Sequence, residues 1–234
     1  MTLPYFFEET IDGTATHFIL GEETSKHCVQ VLRMRAGEQL QLTNGKGLLL
    51  TATITKEDKR RCEVVITERN FAEASQKKIS IAISLLKNTN RFEWFLEKAT
   101  ELGVNEIIPL LCERTERHYF RYDRMRNILI AAMLQSQQAL LPHLSEPKAF
   151  EEVINFSFYS SKLIAFCGEG EKRGLNDFKM DGSVQIFIGP EGDFSEREIQ
   201  STIEKNFIPV SLGNTRLRTE TAGIVAAVLL VNNR

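Results

Sequence analysis

Three stretches of the chain carry more glycine and more polar side chains than a connection between two elements requires. IGPEGDFSEREI, Ile188–Ile199, turns through Gly189, Pro190, Glu191 and Gly192, then offers Ser195 and Glu198 at the spacing of a capping box that opens a helix. SLGNTRLRTETA, Ser211–Ala222, crowds Arg216, Arg218 and Glu220 between a glycine and an apolar run. Most connections in compact domains need only about four to six residues. AFCGEGEKRG, Ala165–Gly174, is a third glycine loop. Glycine lets backbone N–H and C=O groups approach a ligand, and a guanidinium steadies developing negative charge. A carboxylate either moves a proton or holds the N–H groups of its own loop.

Several other chemistries are excluded. A dinucleotide fingerprint needs G-x-G-x-x-G opening a helix, whereas Gly168, Gly170 and Gly174 are spaced differently, and Glu169 and Glu171 would repel phosphate. No G-x-x-x-x-G-K-[ST] sequence occurs, so the expected ligand bears little negative charge. Cys28, Cys62, Cys112 and Cys167 form no C-x-x-C pair, and the histidines share no ligand spacing with them; neither a metal site nor a disulfide framework is expected. No apolar run approaches the roughly 20 residues of a membrane span, and MTLPYFFEET does not read as a leader, so a cytoplasmic protein is expected.

The net charge of −2 argues against wholesale coating of nucleic acid, yet the cations are clustered. Arg33, Arg35, Lys59, Arg60 and Arg61 lie early in the chain, and Arg114, Arg117, Arg121, Arg124 and Arg126 lie within thirteen residues. They fit either a solvated face laced with Glu116 and Asp123 or a phosphate-binding surface.

Two patterns of elements must position these residues. Residues 1–71 read as short strands: EQLQLTNGKGLLLTATIT is a hairpin turning at Asn44-Gly45, KEDKRR reverses into CEVVITE, and TSKHCVQVLRM is a short helix capped by Thr24. A small β-barrel fits this spacing. FAEASQKK is a linker, and residues 74–234 form the second domain. There ISIAISLL is a strand alternating at Ile79, Ile81, Ile83 and Leu85; RFEWFLEKATELG is a helix closed by Gly103; VNEIIPLL is the next strand. A long helix runs from Tyr122 until Pro142 stops it, and strands follow at KLIAFC, VQIFIG and IPVSLG. Strands separated by helices predict an α/β fold with a largely parallel sheet, whose ligand loops lie at the carboxyl ends of the strands.

IGPEGDFSEREI and LGNTRLRTETA, preceded by LLKNTNRFEWFLEKATELGVNEIIPLLCERT and VLRMRAGE, closely resemble the RsmE family of 16S ribosomal RNA uridine N3-methyltransferases, of the SPOUT superfamily. The resemblance spans almost the whole chain. It implies a PUA-like barrel that grips RNA, an α/β domain whose last segment threads a trefoil knot, a homodimer, and S-adenosylmethionine (SAM) as cofactor. Cofactor binding carries over to Phe166, Ile188, Gly189, Pro190, Glu191, Gly192, Leu212, Gly213, Leu217, Arg218 and Thr219, with Leu212 and Leu217 flanking the adenine and Thr219 or Thr221 capping the final helix.

The implied substrate is a uridine of 16S rRNA in the small ribosomal subunit. Arg218, or Arg216 as second choice, would stabilise the uracil anion at the carbonyls beside N3, while Glu191 or Glu220 either accepts the proton or holds loop N–H groups. Arg33, Arg35, Lys59, Arg60, Arg61, Arg114, Arg117 and Arg121 are the candidate RNA contacts. Two positions depart from the family pattern: Asp193 replaces the second glycine of G-G-F-S and must take its backbone angles, and Gln138 stands where an arginine is common. The alternatives are a related ribose 2'-O-methyltransferase of rRNA or tRNA, which the barrel and LRTETA disfavour, and a non-catalytic RNA-binding assembly factor, which the intact pocket motifs disfavour.

Overall fold

The computed structural model describes residues 3–73, 75, 77–168, 171–179 and 181–233. Ala74 and Gln76 of the expected linker, and Glu169 and Gly170 of the third glycine loop, lie outside these described residues. The chain divides into two compact units: Met1–Ala74 with Met133–Leu141, and Ser75–Ala132 with Pro142–Arg234.

The first unit is one five-stranded sheet of β1 (Tyr5–Phe7), β2 (His17–Ile19), β3 (Gln39–Thr43), β4 (Leu48–Lys56) and β5 (Glu63–Phe71), in the order β1-β3-β4-β5-β2. The β3–β4 hairpin forms where Asn44-Gly45 predicted it. Leu48, Leu50, Ala52 and Ile54 all turn inward and join Phe6, Leu40, Leu42 and Cys28 in the core. Gly45 has φ +72°, and a Cβ there would lie 3.0 Å from Leu141 and 3.1 Å from Phe7, so the turn needs glycine. The short helix is α1 (Glu22–Lys26), continued as a π-helical turn over His27–Val31. Its N-cap is Gly21 rather than Thr24, because the Gly21 N–H is held 3.0 Å from Glu8 Oε1 and so starts the helix three residues earlier.

Residues 133–141 belong with this first unit, whereas the sequence placed them in the second. The expected long helix, α3 (Tyr122–Gln135), ends well before Pro142, at a turn where Gln137 has φ +55°. Hydrogen bonds hold the released chain: Gly47 N–H to Ala139 O, Leu141 N–H to Gly45 O, and the Tyr5 hydroxyl to Gln138 O. Backbone pairing with the hairpin replaces the helical bonds that further turns would have made.

The second unit opens with β6 (Ile79–Ser84), α2 (Thr89–Glu101) and β7 (Glu106–Leu111), a parallel pair joined through one helix. After α3 come β8 (His143–Leu144), β9 (Lys148–Ala149), α4 (Phe150–Asn155), β10 (Ser161–Ala165) and β11 (Arg173–Gly174). The chain ends with β12 (Val184–Ile188), α5 (Glu196–Glu204), β13 (Ile208–Ser211) and α6 (Thr219–Asn232). Every pairing in this sheet is parallel, in the order β11-β13-β10-β12-β6-β7-β8, with β9 also on β7. Parallel strands covered on both faces lose the alternation of a one-sided strand. Thus every residue of β6 is buried, with Ser80 and Ser84 bonded to Glu106 and Thr115, and Leu85 lies beyond the strand.

The helix ends are set locally. Gly103, with φ +78°, closes α2, and Ser195 with Glu198 forms the expected capping box of α5. The final helix departs from expectation: Arg218 is its N-cap without a side-chain bond, and Thr219 is already helical. Gly223 on α6 faces α2, where an added Cβ would lie 2.6 Å from the Phe95 ring and 3.0 Å from Ile83 Cδ1. Gly223→Ala should gain about 1 kcal/mol of helix propensity but lose about 1–3 kcal/mol to overpacking against buried neighbours. The expected result is a lower thermal midpoint, read by circular dichroism; a raised midpoint would show that α2 and α6 separate freely.

Candidate functional site

Because β13, β10 and β12 are neighbours, with Ala165 in register with both Ile188 and Val210, their carboxyl ends stand side by side. The three glycine loops therefore converge although they are up to about fifty residues apart in sequence. They enclose a cavity of about 580 Å³, within the range of roughly 300–1,000 Å³ typical of small-molecule sites. Of the expected cofactor residues, Phe166, Ile188, Gly189, Pro190, Glu191, Leu212, Gly213, Leu217, Arg218 and Thr219 all line it, as does Arg216.

Two expected residues stand apart. Gly192 is outside the lining; its carbonyl accepts from Arg114 Nη1 at 2.8 Å, and an added Cβ would only touch the Arg114 side chain at 3.5 Å. The tight glycine is Gly189, where a Cβ would meet Phe194 at 3.1 Å. Glu220 is also outside, turned toward α2 with Oε1 3.6 Å from Arg91 and its side chain only 8% exposed. It is not placed to take a proton in the cavity, because the first turn of α6 points it at the other helix.

Each loop is fixed by its own bonds. Asp193 takes φ +63°, the glycine-like angle its position requires. Its carboxylate accepts the Phe194 N–H at 2.9 Å and, across to the loop after β10, the Cys167 N–H at 2.8 Å. The Lys172 ammonium bonds the Phe166 carbonyl at 2.8 Å and the Gly168 carbonyl, and lies 4.2 Å from the centre of the Phe166 ring. Glu191 Oε1 accepts the Lys87 N–H at 3.2 Å, so it serves at least as a loop acceptor. The guanidiniums of Arg216 and Arg218 have no hydrogen-bond or ion-pair partner among the described residues and remain free for a ligand. Cys167, Lys172 and Asp193 also line the cavity, and although all three lie in the glycine-rich stretches no spacing in the sequence singles them out as wall residues.

The cation clusters differ between units. In the first, Arg33, Lys59, Arg60 and Arg61 are exposed, with Arg35 3.2 Å from Glu57 and Arg60 4.0 Å from Glu22. Arg33 takes φ +57°. In the second, Arg114 is committed to the Gly192 and Phe194 carbonyls and is a loop support rather than a free phosphate contact. Arg117 donates to Lys87 O at 3.3 Å, Arg121 to the Tyr119 hydroxyl at 3.0 Å, and Arg124 makes a two-point pair with Glu93. No group of potential metal ligands occurs among the described residues, and no helix among them is long and apolar enough to cross a membrane.

The cavity fits SAM. It pairs apolar walls at Ile188, Leu212 and Leu217 with glycine loops whose backbone is open to a ligand. Family models match both units: one described as an RNA methyltransferase domain over residues 73–231, and one described as an RNA methyltransferase PUA domain over residues 20–67. The ribosomal RNA small subunit methyltransferase E of Aquifex aeolicus is 30% identical, covering 97% of this chain and 98% of its own. A solved protein from Porphyromonas gingivalis is 36% identical with a TM-score of 0.91, covering 99% of this chain and 98% of its own. The SAM-bound ribosomal RNA small subunit methyltransferase E of Neisseria gonorrhoeae is 28% identical with a TM-score of 0.86, again covering 99% and 98%. With an α/β domain following a PUA-like one, and similarity running nearly end to end, the chain belongs to the ribosomal RNA small subunit methyltransferase E family.

Proposed function

We propose that this protein methylates N3 of a uridine in the 16S rRNA of the small ribosomal subunit, using SAM held in the three-loop cavity. The observation that carries the reading is the convergence of the Ala165–Gly168, Ile188–Asp193 and Leu212–Thr219 loops on one cavity with two unpartnered guanidiniums, in a member of this family. SAM supplies an electrophilic methyl group when bound. Gly189 and Gly213 would bring backbone N–H and C=O groups to the adenine, and Leu212 and Leu217 would offer it apolar surface.

Uracil N3 is a weak acid between two carbonyls, so the chain must favour the anion. Arg218 is the residue for this, with Arg216 the second choice, since a free guanidinium in a partly enclosed site acts on charge as it develops. Glu191 keeps one carboxylate oxygen for the Lys87 N–H and has another with which to take the proton. The exposed cations of the first unit, Arg33, Lys59, Arg60 and Arg61, grip RNA phosphates. The reading includes a trefoil-knotted final segment, a homodimer and a cytoplasmic location, as in the family the sequence resembles.

The reading is tested by mass spectrometry of nucleosides from small-subunit rRNA incubated with protein and SAM, where 3-methyluridine is expected; its absence would overturn the assignment. Arg218→Ala should lower turnover by roughly a hundredfold or more with a smaller change in SAM affinity, the pattern of a lost transition-state interaction. Equal losses in both would make Arg218 a binding residue.

Cysteine chemistry locates the cofactor separately. Burial raises the Cys28 and Cys112 thiols to about 12 and also pushes Cys62 up, whereas Cys167 is exposed on the cavity wall. Alkylation near neutral pH should modify Cys167 first, because the thiolate is the reactive form, and SAM should slow it. A rate indifferent to saturating SAM would place the cofactor elsewhere.

A further inference from the structure

The segment between β7 and α3 presents an aromatic surface that no phosphate contact explains. Tyr119 is 62% exposed, although a large aromatic ring normally buries most of its area. Its neighbours hold it there. Phe120 packs edge-on against Phe92 at 6.2 Å and anchors the backbone, while Arg121 Nε donates to the Tyr119 hydroxyl at 3.0 Å. The Arg121 guanidinium carbon lies 5.8 Å from the ring centre, near the outer limit of about 6 Å for a cation on an aromatic face. The guanidinium thus lies over one side of the ring, and the residue's exposure leaves ring surface open to solvent on the other. Arg121 also draws the Tyr119 pKa below its ordinary value by that hydrogen bond.

This segment is tied to the cavity loops. Arg114 holds the Gly192 carbonyl, Arg117 donates to Lys87 O, and the Lys87 N–H reaches Glu191 on the cavity wall. An exposed ring flanked by Arg117 and Arg121, at the same end of the sheet as the cavity, has the composition of a surface for single-stranded nucleic acid: positive charge that attracts the backbone and a π-face for a base. A protein partner would not need both guanidiniums on the rim, and a duplex would offer no free base.

We propose that Tyr119, oriented by Arg121, is a stacking site for an unpaired RNA base next to the reacting uridine. The proposal rests on the RNA methyltransferase reading and assigns Arg121 an orienting role in place of a phosphate contact.

The test titrates full-length protein with a short labelled single-stranded RNA of mixed sequence, and with the same backbone carrying abasic sites, over a range of salt. Tyr119→Ala should weaken binding of the intact RNA by roughly five- to a hundredfold, the span of one lost base–aromatic stack, with the salt slope unchanged. Tyr119→Phe, which keeps the stacking face and gives up only the hydroxyl bond to Arg121, should lose clearly less than Tyr119→Ala, and the abasic RNA should barely distinguish the three. Lys59→Gln is the contrast, an exposed cation of the first unit whose loss should lower the salt slope by about 0.7 for one single-strand phosphate contact. Equal affinity of Tyr119→Ala and the unmutated protein for the intact RNA would overturn the proposal, as would an equal loss in Tyr119→Phe. Calorimetry with SAM on the same proteins should show no change between variants, and a loss confined to Tyr119→Ala would also overturn it, by making the ring a support of the cavity. SAM titration reports on the methyltransferase reading and RNA titration on the stacking site, so the two failures are separate.

Discussion

Everything at the site depends on the parallel pairing of β10 with both β12 and β13. Parallel strands start at one edge of a sheet and finish at the other, so three adjacent parallel strands deliver three loops to the same edge. Their order in space is not their order in sequence, since β10 lies between β13 and β12. A glycine loop from the middle of the domain thus meets two from its end. An antiparallel strand at any of the three places would carry its loop to the opposite edge and leave the cavity open on one side.

The loops need internal stiffness, because a glycine-rich loop loses much entropy when ordered. Asp193 shows how this chain supplies it. A non-glycine residue at positive φ costs of order 1 kcal/mol, less for aspartate than for most. Hydrogen bonds to a charged group contribute about 1.5–3 kcal/mol each when well formed, and the carboxylate makes two, to Phe194 N–H and Cys167 N–H. Even discounted for exposure, the bonds outweigh the strain. Glycine would take the backbone angle freely but could not bridge to the loop after β10, so the substitution exchanges ease of turning for a tie between two walls of the cavity.

The sequence made the loops legible because their signals are local. Ser195 and Glu198 fix a helix start, Gly103 fixes a helix end, and Asn44-Gly45 fixes a hairpin, all through bonds within a few residues. Failures arose where distant partners decide. The end of α3 is set by pairing of Ala139 and Leu141 with the β3–β4 turn, some ninety residues away, which no helical periodicity reports. Glu220 and Gly192 stood in motifs whose neighbours line the cavity, yet one faces Arg91 and the other Arg114. Sequence spacing identified the loop in both cases and could not identify the side from which it is seen.

Charge gives the same lesson about substrate grip. Five arginines within thirteen residues look equivalent in sequence, but their partners divide them: Arg114 supports the loop after β12, Arg124 is neutralised by Glu93, and Arg121 orients a ring. A chain of bonds runs from this segment through Lys87 to Glu191. Substrate contact there would therefore act on the same loop that lines the cavity, by displacing or tightening bonds already present. An arginine whose guanidinium is occupied within the protein contributes its charge to the field but not a free donor to the RNA. For such a residue, position in the bond network matters more than membership of a basic cluster.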